Sequence, residues 1–263
     1  MFKIAVLVPT YKPGLYFERC LDSIEAQTLP KTKFKVYVAL NGPKEDYEKF
    51  IFRLLEKYTF IFEYIYLADS GVSNARNQLI EASSEEYVAF ADDDDVLSSN
   101  YLEQLLLKAS RNYISVSNVF SFCESLEELT DNYIGESFSN LDESEGRLFK
   151  SRKFFSSPWA KLIHREIIGD ARFDEKLKIG EDSLFMAKIS KRVRGIRKTE
   201  PSACYYVYER EGSASRKEIV RSEELGRITY LFSEYSWLLL KGYNIPFILS
   251  RVVASLLHLR RLF

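Results

Sequence analysis

Four consecutive carboxylates, Asp92-Asp93-Asp94-Asp95, directly follow the apolar run Tyr87-Val88-Ala89-Phe90-Ala91, which places them at the exit of a buried strand. Two unit charges about 5 Å apart repel by about 3 kcal/mol at an effective dielectric of about 20, and a run of four multiplies the pairs. A hard divalent cation would compensate that crowding. Mg2+ or Mn2+ takes one or two protein carboxylates and completes its shell with water and substrate phosphates, so the run implies a diphosphate-bearing substrate. A second reading stands beside this one: a solvated acidic loop capping the following helix, where negative charge is favourable and Asp caps well.

Another acid pair, Glu181-Asp182, opens an apolar-periodic stretch carrying Leu184, Phe185, Ala187 and Ile189. Acids in a first helical turn are favoured by about 0.3 to 1 kcal/mol on dipole grounds alone, and a positioned carboxylate can equally act as a general base. Tyr11 offers a flat face at a strand exit and Arg76 a planar fork of donors; those suit a nucleobase and phosphates, but a turn aromatic and a surface helix residue look the same in sequence.

Such groups need a scaffold. Lys3 to Val8, Lys35 to Leu40, Phe60 to Leu67 and Glu86 to Ala91 are short apolar runs between polar or turn residues, the pattern of buried strands. Between them, Gly14 to Gln27, Glu45 to Tyr58 and Ser73 to Ala82 are helix-sized, the first two with apolar residues on one face. The alternation predicts a Rossmann-like, doubly wound, mostly parallel α/β sheet whose ligand lies beyond the carboxyl ends of the strands. Pro9-Thr10-Tyr11, Asn41-Gly42-Pro43, Asp69-Ser70-Gly71 and the acid run fall there. Further on, the pattern predicts a helix from about Asn100 to Ser110, a strand from Ile114 to Phe122, a mobile acidic loop or lid from Glu124 to Glu145, a short helix around Trp159 to Ile163, and a strand over Ala203 to Tyr208.

The 263 residues, 46% of them hydrophobic, can fill a large core, and a net charge of −1 lacks the basic footprint of a nucleic-acid-binding domain. Cys20, Cys123 and Cys204 are scattered and odd in number, and there are two histidines, so neither a disulfide framework nor a zinc centre is expected and the chain reads as cytoplasmic. Met1 to Pro9 is too short an apolar run for a signal peptide, so no export is expected. Leu238 to Leu259 is interrupted by Lys241, Asn244, Pro246 and Arg251, which predicts no membrane span. Projected as a helix, Phe247 to Phe263 places Ile248, Leu249, Val252, Val253, Leu256, Leu257 and Phe263 mostly on one side and Arg251, His258 and Arg261 on the other. That basic amphipathic helix either lies on an anionic inner leaflet or packs on its own domain.

Taken in order, Val8-Pro9-Thr10-Tyr11, Leu21-Asp22-Ser23-Ile24 with Gln27-Thr28, Gly71-Val72-Ser73-Asn74-Ala75-Arg76-Asn77, Asp92 to Asp95 and Gly180-Glu181-Asp182 resemble glycosyltransferase family 2, the inverting GT-A enzymes, from about residue 3 to about residue 210. The resemblance implies a GT-A fold with an acceptor-side region and C-terminal helices. It implies that Pro9, Thr10 and Tyr11 line a nucleotide pocket with the Tyr11 ring against the base, that Arg76 contacts the nucleotide, that Asp92 and Asp93 lie at the nucleotide sugar, and that Asp94 is the ligand of Mn2+ or Mg2+. Asp182 corresponds to the base that takes the acceptor proton, with Glu181 as its orienting partner or second candidate. Trp159 and Lys161 fall on the acceptor side, where core packing explains them nearly as well. Asn41 stands where the family usually has a base-reading aspartate. Its amide can accept from a uracil N–H or donate to another base, so UDP is favoured without being fixed.

The expected organisation is a nucleotide-sugar-binding half over 1–98, an acceptor-binding and catalytic half over 99–212 and a helical extension over 213–263. The expected function is metal-dependent transfer of a sugar from a nucleotide diphosphate donor, UDP-linked by preference, to a saccharide or lipid-linked saccharide in surface polysaccharide or glycolipid assembly. Two alternatives remain at this level: a non-catalytic nucleotide-sugar or glycan-binding protein of the same fold, and a nucleotidyltransferase, for which Pro9-Thr10-Tyr11-Lys12-Pro13-Gly14 is a poor triphosphate loop.

Overall fold

The uncharged segment Ile4–Thr10 (β1) is buried along its whole length, because it runs through the interior of a sheet covered on both faces. In this computed structural model, which describes residues 1–210 and 221–257, β1 pairs in parallel with Phe34–Asn41 (β2), and β2 in parallel with Phe62–Leu67 (β3). On its other side β1 pairs in parallel with Tyr87–Phe90 (β4). The crossovers are the helices Leu15–Glu25 (α1), Glu45–Leu55 (α2) and Val72–Ala82 (α3). The doubly wound half is thus as expected, with one correction. β3 is an edge strand, and each of its residues is partly exposed rather than buried.

After the acid run come Val96–Leu97 (β5), Tyr101–Leu107 (α4), Tyr113–Val116 (β6), Asn118–Phe122 (β7), Leu129–Asp131 (β8), Tyr133–Ser139 (α5) and Ser144–Glu145 (β9). Lys161–His164 (β10), Arg165–Ile168 (α6), Glu181–Ile189 (α7), Gly195–Lys198 (β11), Cys204–Tyr208 (β12), Arg221–Leu240 (α8) and Ile245–Leu257 (α9) follow. Among the described residues one sheet has the order β3-β2-β1-β4-β10-β6-β11-β9 and a smaller one the order β5-β12-β7-β8.

Three expectations fail here for physical reasons. The single strand over Ile114 to Phe122 is two strands. Val116 pairs into the large sheet and Asn118 into the small one, and the chain changes sheets at the buried Ser117, whose N–H bonds to the Ala160 carbonyl. The helix around Trp159 to Ile163 is the strand β10, which enters antiparallel between β4 and β6 and is buried throughout. The segment from Glu124 to Glu145 is not one loop: Glu124 to Asp131 is exposed throughout, whereas α5 buries Ile134 and Phe138, and a Cβ at Gly135 would come within 2.1 Å of the Val119 carbonyl oxygen. Only glycine lets that helix sit so close to β7.

At the carboxyl-terminal side, α8 buries Leu231, Tyr235 and Leu238. The α9 orientation reverses part of the helical projection. Arg251, expected on an outward polar side, is buried beside the Phe247 ring and bonded to the Arg152 carbonyl, whereas Leu249, Val253, Leu256 and Leu257 are exposed. His258, Arg261 and Phe263 lie outside the described residues. No described helix is long and apolar enough to cross a membrane.

Candidate active site

The carboxyl ends of β1, β2 and β4 meet in one place. Thr10, buried at the end of β1, donates its hydroxyl to Asp93 Oδ2 at 2.5 Å, and Pro9 beside it is buried as well. Asn41, at the end of β2, donates Nδ2 to the Thr10 carbonyl at 2.7 Å and accepts the Gly71 N–H on Oδ1 at 2.9 Å. Both halves of its amide are therefore spent on backbone. Placed so, Asn41 ties β1 to the segment that opens α3. Gly42 has φ +108°, and a Cβ there would lie 2.7 Å from Tyr11 Cε2. The glycine allows the Tyr11 ring to lie against the backbone while 46% of the residue stays exposed, an available face for stacking.

The four acids differ in their surroundings. Asp92 receives Arg76 Nη2 at 2.8 Å, and its N–H donates to the Tyr205 hydroxyl at 3.0 Å. Asp95 is buried and accepts the Tyr208 N–H at 2.8 Å, so it anchors β12. Burial pushes Asp93 up to about 7, the Thr10 bond opposing and the neighbouring acids adding to the shift. Asp94 is pushed up to about 6 by burial and by Asp92, against the pull of Arg210, whose Nε lies 3.2 Å from Asp94 Oδ2. The helix-cap reading does not fit. The run leads into β5, and α4 begins only at Tyr101 with Asn100 at its cap.

This donor set fits a hard cation. Its atoms are carboxylate oxygens, they stand at a strand exit, and Asp93 and Asp94 are held at high proton affinity by burial and by the charge of neighbouring acids, Asp92 acting on both, a repulsion that a divalent charge would relieve. Among the described residues no three acidic, His or Cys side chains form a ready cage, so the fit is to an ion held by one or two carboxylates, with water and phosphate completing its shell.

Arg76 on α3 joins this cluster to the second acid motif. It is buried, with Nη2 on Asp92 and Nη1 2.6 Å from Asp182 Oδ1 and 4.0 Å from Glu181 Oε1. Burial opposes its charge, but Asp182 and Asp92 outweigh that and hold it protonated. Glu181 and Asp182 form the first turn of α7, as expected. Burial and the Asp182 charge push Glu181 up to about 7, with Arg76 opposing. Asp182 is raised by burial against the same guanidinium. Arg76, expected at the nucleotide, is committed here to three carboxylates.

On the acceptor side, the Trp159 ring stacks on Tyr205 with centroids 5.1 Å apart and planes 9° apart. Lys161 is fully buried, so its ammonium is not presented to a ligand. It donates to the Ser157 carbonyl at 2.7 Å and to the Trp159 carbonyl. Burial brings it down to about 7, with Asp182 nearby favouring its charge. Sequence reasoning missed Arg210 and Arg19. Arg210 follows the exit of β12 by two residues, so the strand-exit rule applied to the second sheet finds it. Arg19, whose guanidinium lies 4.7 Å from the Phe122 ring centroid and 4.5 Å from that of Tyr208, leaves no such signal in α1.

The family model for glycosyl transferase family 2 matches residues 5–171. Over 229 residues the chain is 31% identical to glycosyltransferase GlyA of Streptococcus pneumoniae, covering 81% of this chain and 32% of that protein. Over 235 residues it is 24% identical to the poly(ribitol-phosphate) beta-N-acetylglucosaminyltransferase TarS of Staphylococcus aureus, covering 89% and 40%. The chain thus spans about a third to two fifths of the length of these relatives. Among solved structures, S. aureus TarS 1-349 in complex with UDP-GlcNAc aligns with a TM-score of 0.76 at 20% identity, covering 97% of this chain and 72% of that one. A mannosyltransferase from Pyrobaculum calidifontis in complex with GDP-Man and Mn2+ aligns at 0.66 and 16% identity, covering 98% and 69%. At those identities the alignments speak for the fold, which is GT-A.

Proposed function

The chain belongs to glycosyl transferase family 2, and from that premise we propose that it is an inverting, metal-dependent glycosyltransferase. In this reading it moves a sugar from a nucleotide diphosphate donor, UDP-linked by preference, to a saccharide or lipid-linked saccharide of a surface polymer. The observation that carries the reading is the Arg76 bridge, which sets the base candidate Asp182 beside the acid run and holds both. A protein that only bound a nucleotide sugar would have no use for the second acid motif at that position.

Tyr11 stacks on the nucleobase. Asp92 and Asp93 sit at the ribose and sugar, and Asp94 holds Mn2+ or Mg2+. An ion held there would supply positive charge to offset that on the departing nucleoside diphosphate. Asp182 uses Oδ2, the oxygen not engaged by Arg76, to take the acceptor hydroxyl proton as that oxygen attacks the anomeric carbon opposite the breaking bond to phosphate. Arg76 holds the carboxylate in register for this step. Trp159 supplies a flat wall for the acceptor ring, and Lys161 fixes that wall from behind. In the same reading the reaction takes place in the cytoplasm, with peripheral contact to a membrane that carries the acceptor.

A panel of nucleotide sugars with Mn2+ tests this. Asp182→Asn should bind UDP and metal like the wild type yet lose about a thousandfold or more in turnover, whereas Asp94→Asn should lose metal-dependent UDP binding. Wild-type turnover by Asp182→Asn would remove it as the base.

A further inference from the structure

α9 carries its one charged residue inward and an apolar row outward. Arg251, buried against Phe247 and bonded to the Arg152 carbonyl, fixes the rotation of the helix. On the outer side Ile245, Leu249, Val253 and Leu257 recur every fourth residue, each at least 46% exposed. A surface helix of a soluble domain ordinarily shows the opposite arrangement, with polar groups outward, and a contiguous exposed apolar strip marks contact with another phase or molecule.

The tip joining α8 to α9 adds a second, independent feature. Trp237 is 53% exposed, and Lys241 Nζ sits 4.4 Å from its ring centroid. Beside it Lys191 Nζ lies 5.3 Å from the Tyr243 ring and donates to the Lys241 carbonyl at 2.8 Å. Both lysines are exposed, and among the described residues neither has an acidic partner. In the sequence no acid follows Glu234, while Lys241, Arg251, Arg260 and Arg261 do.

We propose that this face, the outer side of α9 with the Trp237–Lys241 and Tyr243–Lys191 pairs at its end, lies on an anionic lipid surface. Aromatic rings with a polar tip and lysines with long stems are suited to the head-group level, where the ammonium groups meet lipid phosphates and the apolar row reaches the acyl boundary. A second copy of the chain would bring the same unanswered lysines and no acid from the α9 segment to pair with them, whereas an anionic leaflet satisfies the apolar and the basic parts together. The proposal rests on the peripheral-contact reading above and names its face. Vesicle binding is scored with no sugar donor present, so failure of this face and failure of the transferase reading are told apart.

The experiment is co-sedimentation of the full chain with phosphatidylcholine vesicles, with or without phosphatidylglycerol. Wild type should bind the anionic vesicles and bind the neutral ones more weakly. Leu249→Glu combined with Val253→Glu should lower partitioning about tenfold or more, and Lys191→Gln and Lys241→Gln should each lower it about fivefold on anionic vesicles at low salt. Circular dichroism melting curves matching wild type establish that these surface variants fold. Absence of binding to either vesicle overturns the proposal, as does binding unchanged by the Leu249 and Val253 substitutions. A concentration-dependent dimer that those substitutions dissolve, without vesicle binding, assigns the face to a second copy instead.

Discussion

Arg76 Nη1 stands 2.6 Å from Asp182 Oδ1 while its Nη2 stands 2.8 Å from Asp92 Oδ1, so one buried guanidinium joins the exit of β4 to the first turn of α7. The two acid motifs are far apart in the chain, and this bridge makes them one site. Its planar fork can serve two carboxylates at once, which a single ammonium point charge cannot do in the same geometry.

Arg76→Met should therefore cost stability as well as activity. Removing the cation leaves two desolvated carboxylates facing each other. Because both retain some solvent contact, the expected loss is about 2–4 kcal/mol, at or below the range for fully buried pairs, seen as a fall in Tm of about 5–15 °C. Arg76→Lys should recover part of the stability and little of the turnover. In a double-mutant cycle Arg76→Met and Asp182→Asn should be less than additive by about 1 kcal/mol or more. Strict additivity would mean that the bridge is not an energetic link.

The pH profile follows from the neighbours of Asp182. The base must be unprotonated, and burial with the Asp92 charge raises Asp182 against the pull of Arg76 and Lys161, while burial with the Asp182 charge brings Glu181 to about 7. The acidic limb of kcat/KM is thus expected above the ordinary carboxylate range of about 4. Glu181→Gln removes a like charge beside Asp182. It should move the limb to lower pH, because the paired group at about 7 is gone, while much of the turnover at pH 8 survives. A limb that does not move would separate Glu181 from the titration.

Much of this was legible from residue order. The βαβαβαβ half follows from apolar runs at helix-and-strand spacing, and the strand-exit rule places Thr10, Tyr11 and Asp92 to Asp95 correctly because buried parallel strands leave a strong local signal. What was not legible depends on contacts across the fold. Trp159 to Ile163 looks helical in isolation, but β10 is made a strand by the gap between β4 and β6 that it fills. Arg251 looks outward-facing by periodicity, yet a carbonyl on a distant segment and the Phe247 ring receive it. The commitment of Asn41 to Thr10 and Gly71 belongs to the same class, since an amide looks alike in sequence whether it reads a base or ties two loops.

Metal should stabilise the protein in a pH-dependent way. Asp93, Asp94 and Glu181 have folded values raised to about 7, 6 and 7, above unfolded carboxylates at about 4. Between about pH 5 and 7 the folded state therefore binds more protons than the unfolded one, and stability falls as pH rises. Lys161, lowered to about 7, works in the opposite direction only above that window. Tm without metal is expected to decline from pH 5 to pH 7, and the gain on adding Mn2+ with UDP should be larger at pH 7 than at pH 5. Asp94→Asn should flatten both trends. Equal gains at the two pH values would argue against an ion at these carboxylates.

Lys161 and Trp159 should behave as one unit on the acceptor side. The buried ammonium holds the carbonyls of Ser157 and Trp159, and Ala160, between Trp159 and Lys161, adopts φ +58°, a conformation that needs support in a non-glycine residue. Lys161→Met fills a similar volume but drops both bonds, so the turn loosens and the Trp159 ring slips from Tyr205. UDP affinity should stay within about twofold, while the acceptor KM rises about tenfold. Trp159→Ala should show the same split, and the double variant should be little worse than either single one. Equal losses in UDP affinity and acceptor KM for Lys161→Met would show that the turn supports the donor pocket and not the acceptor wall.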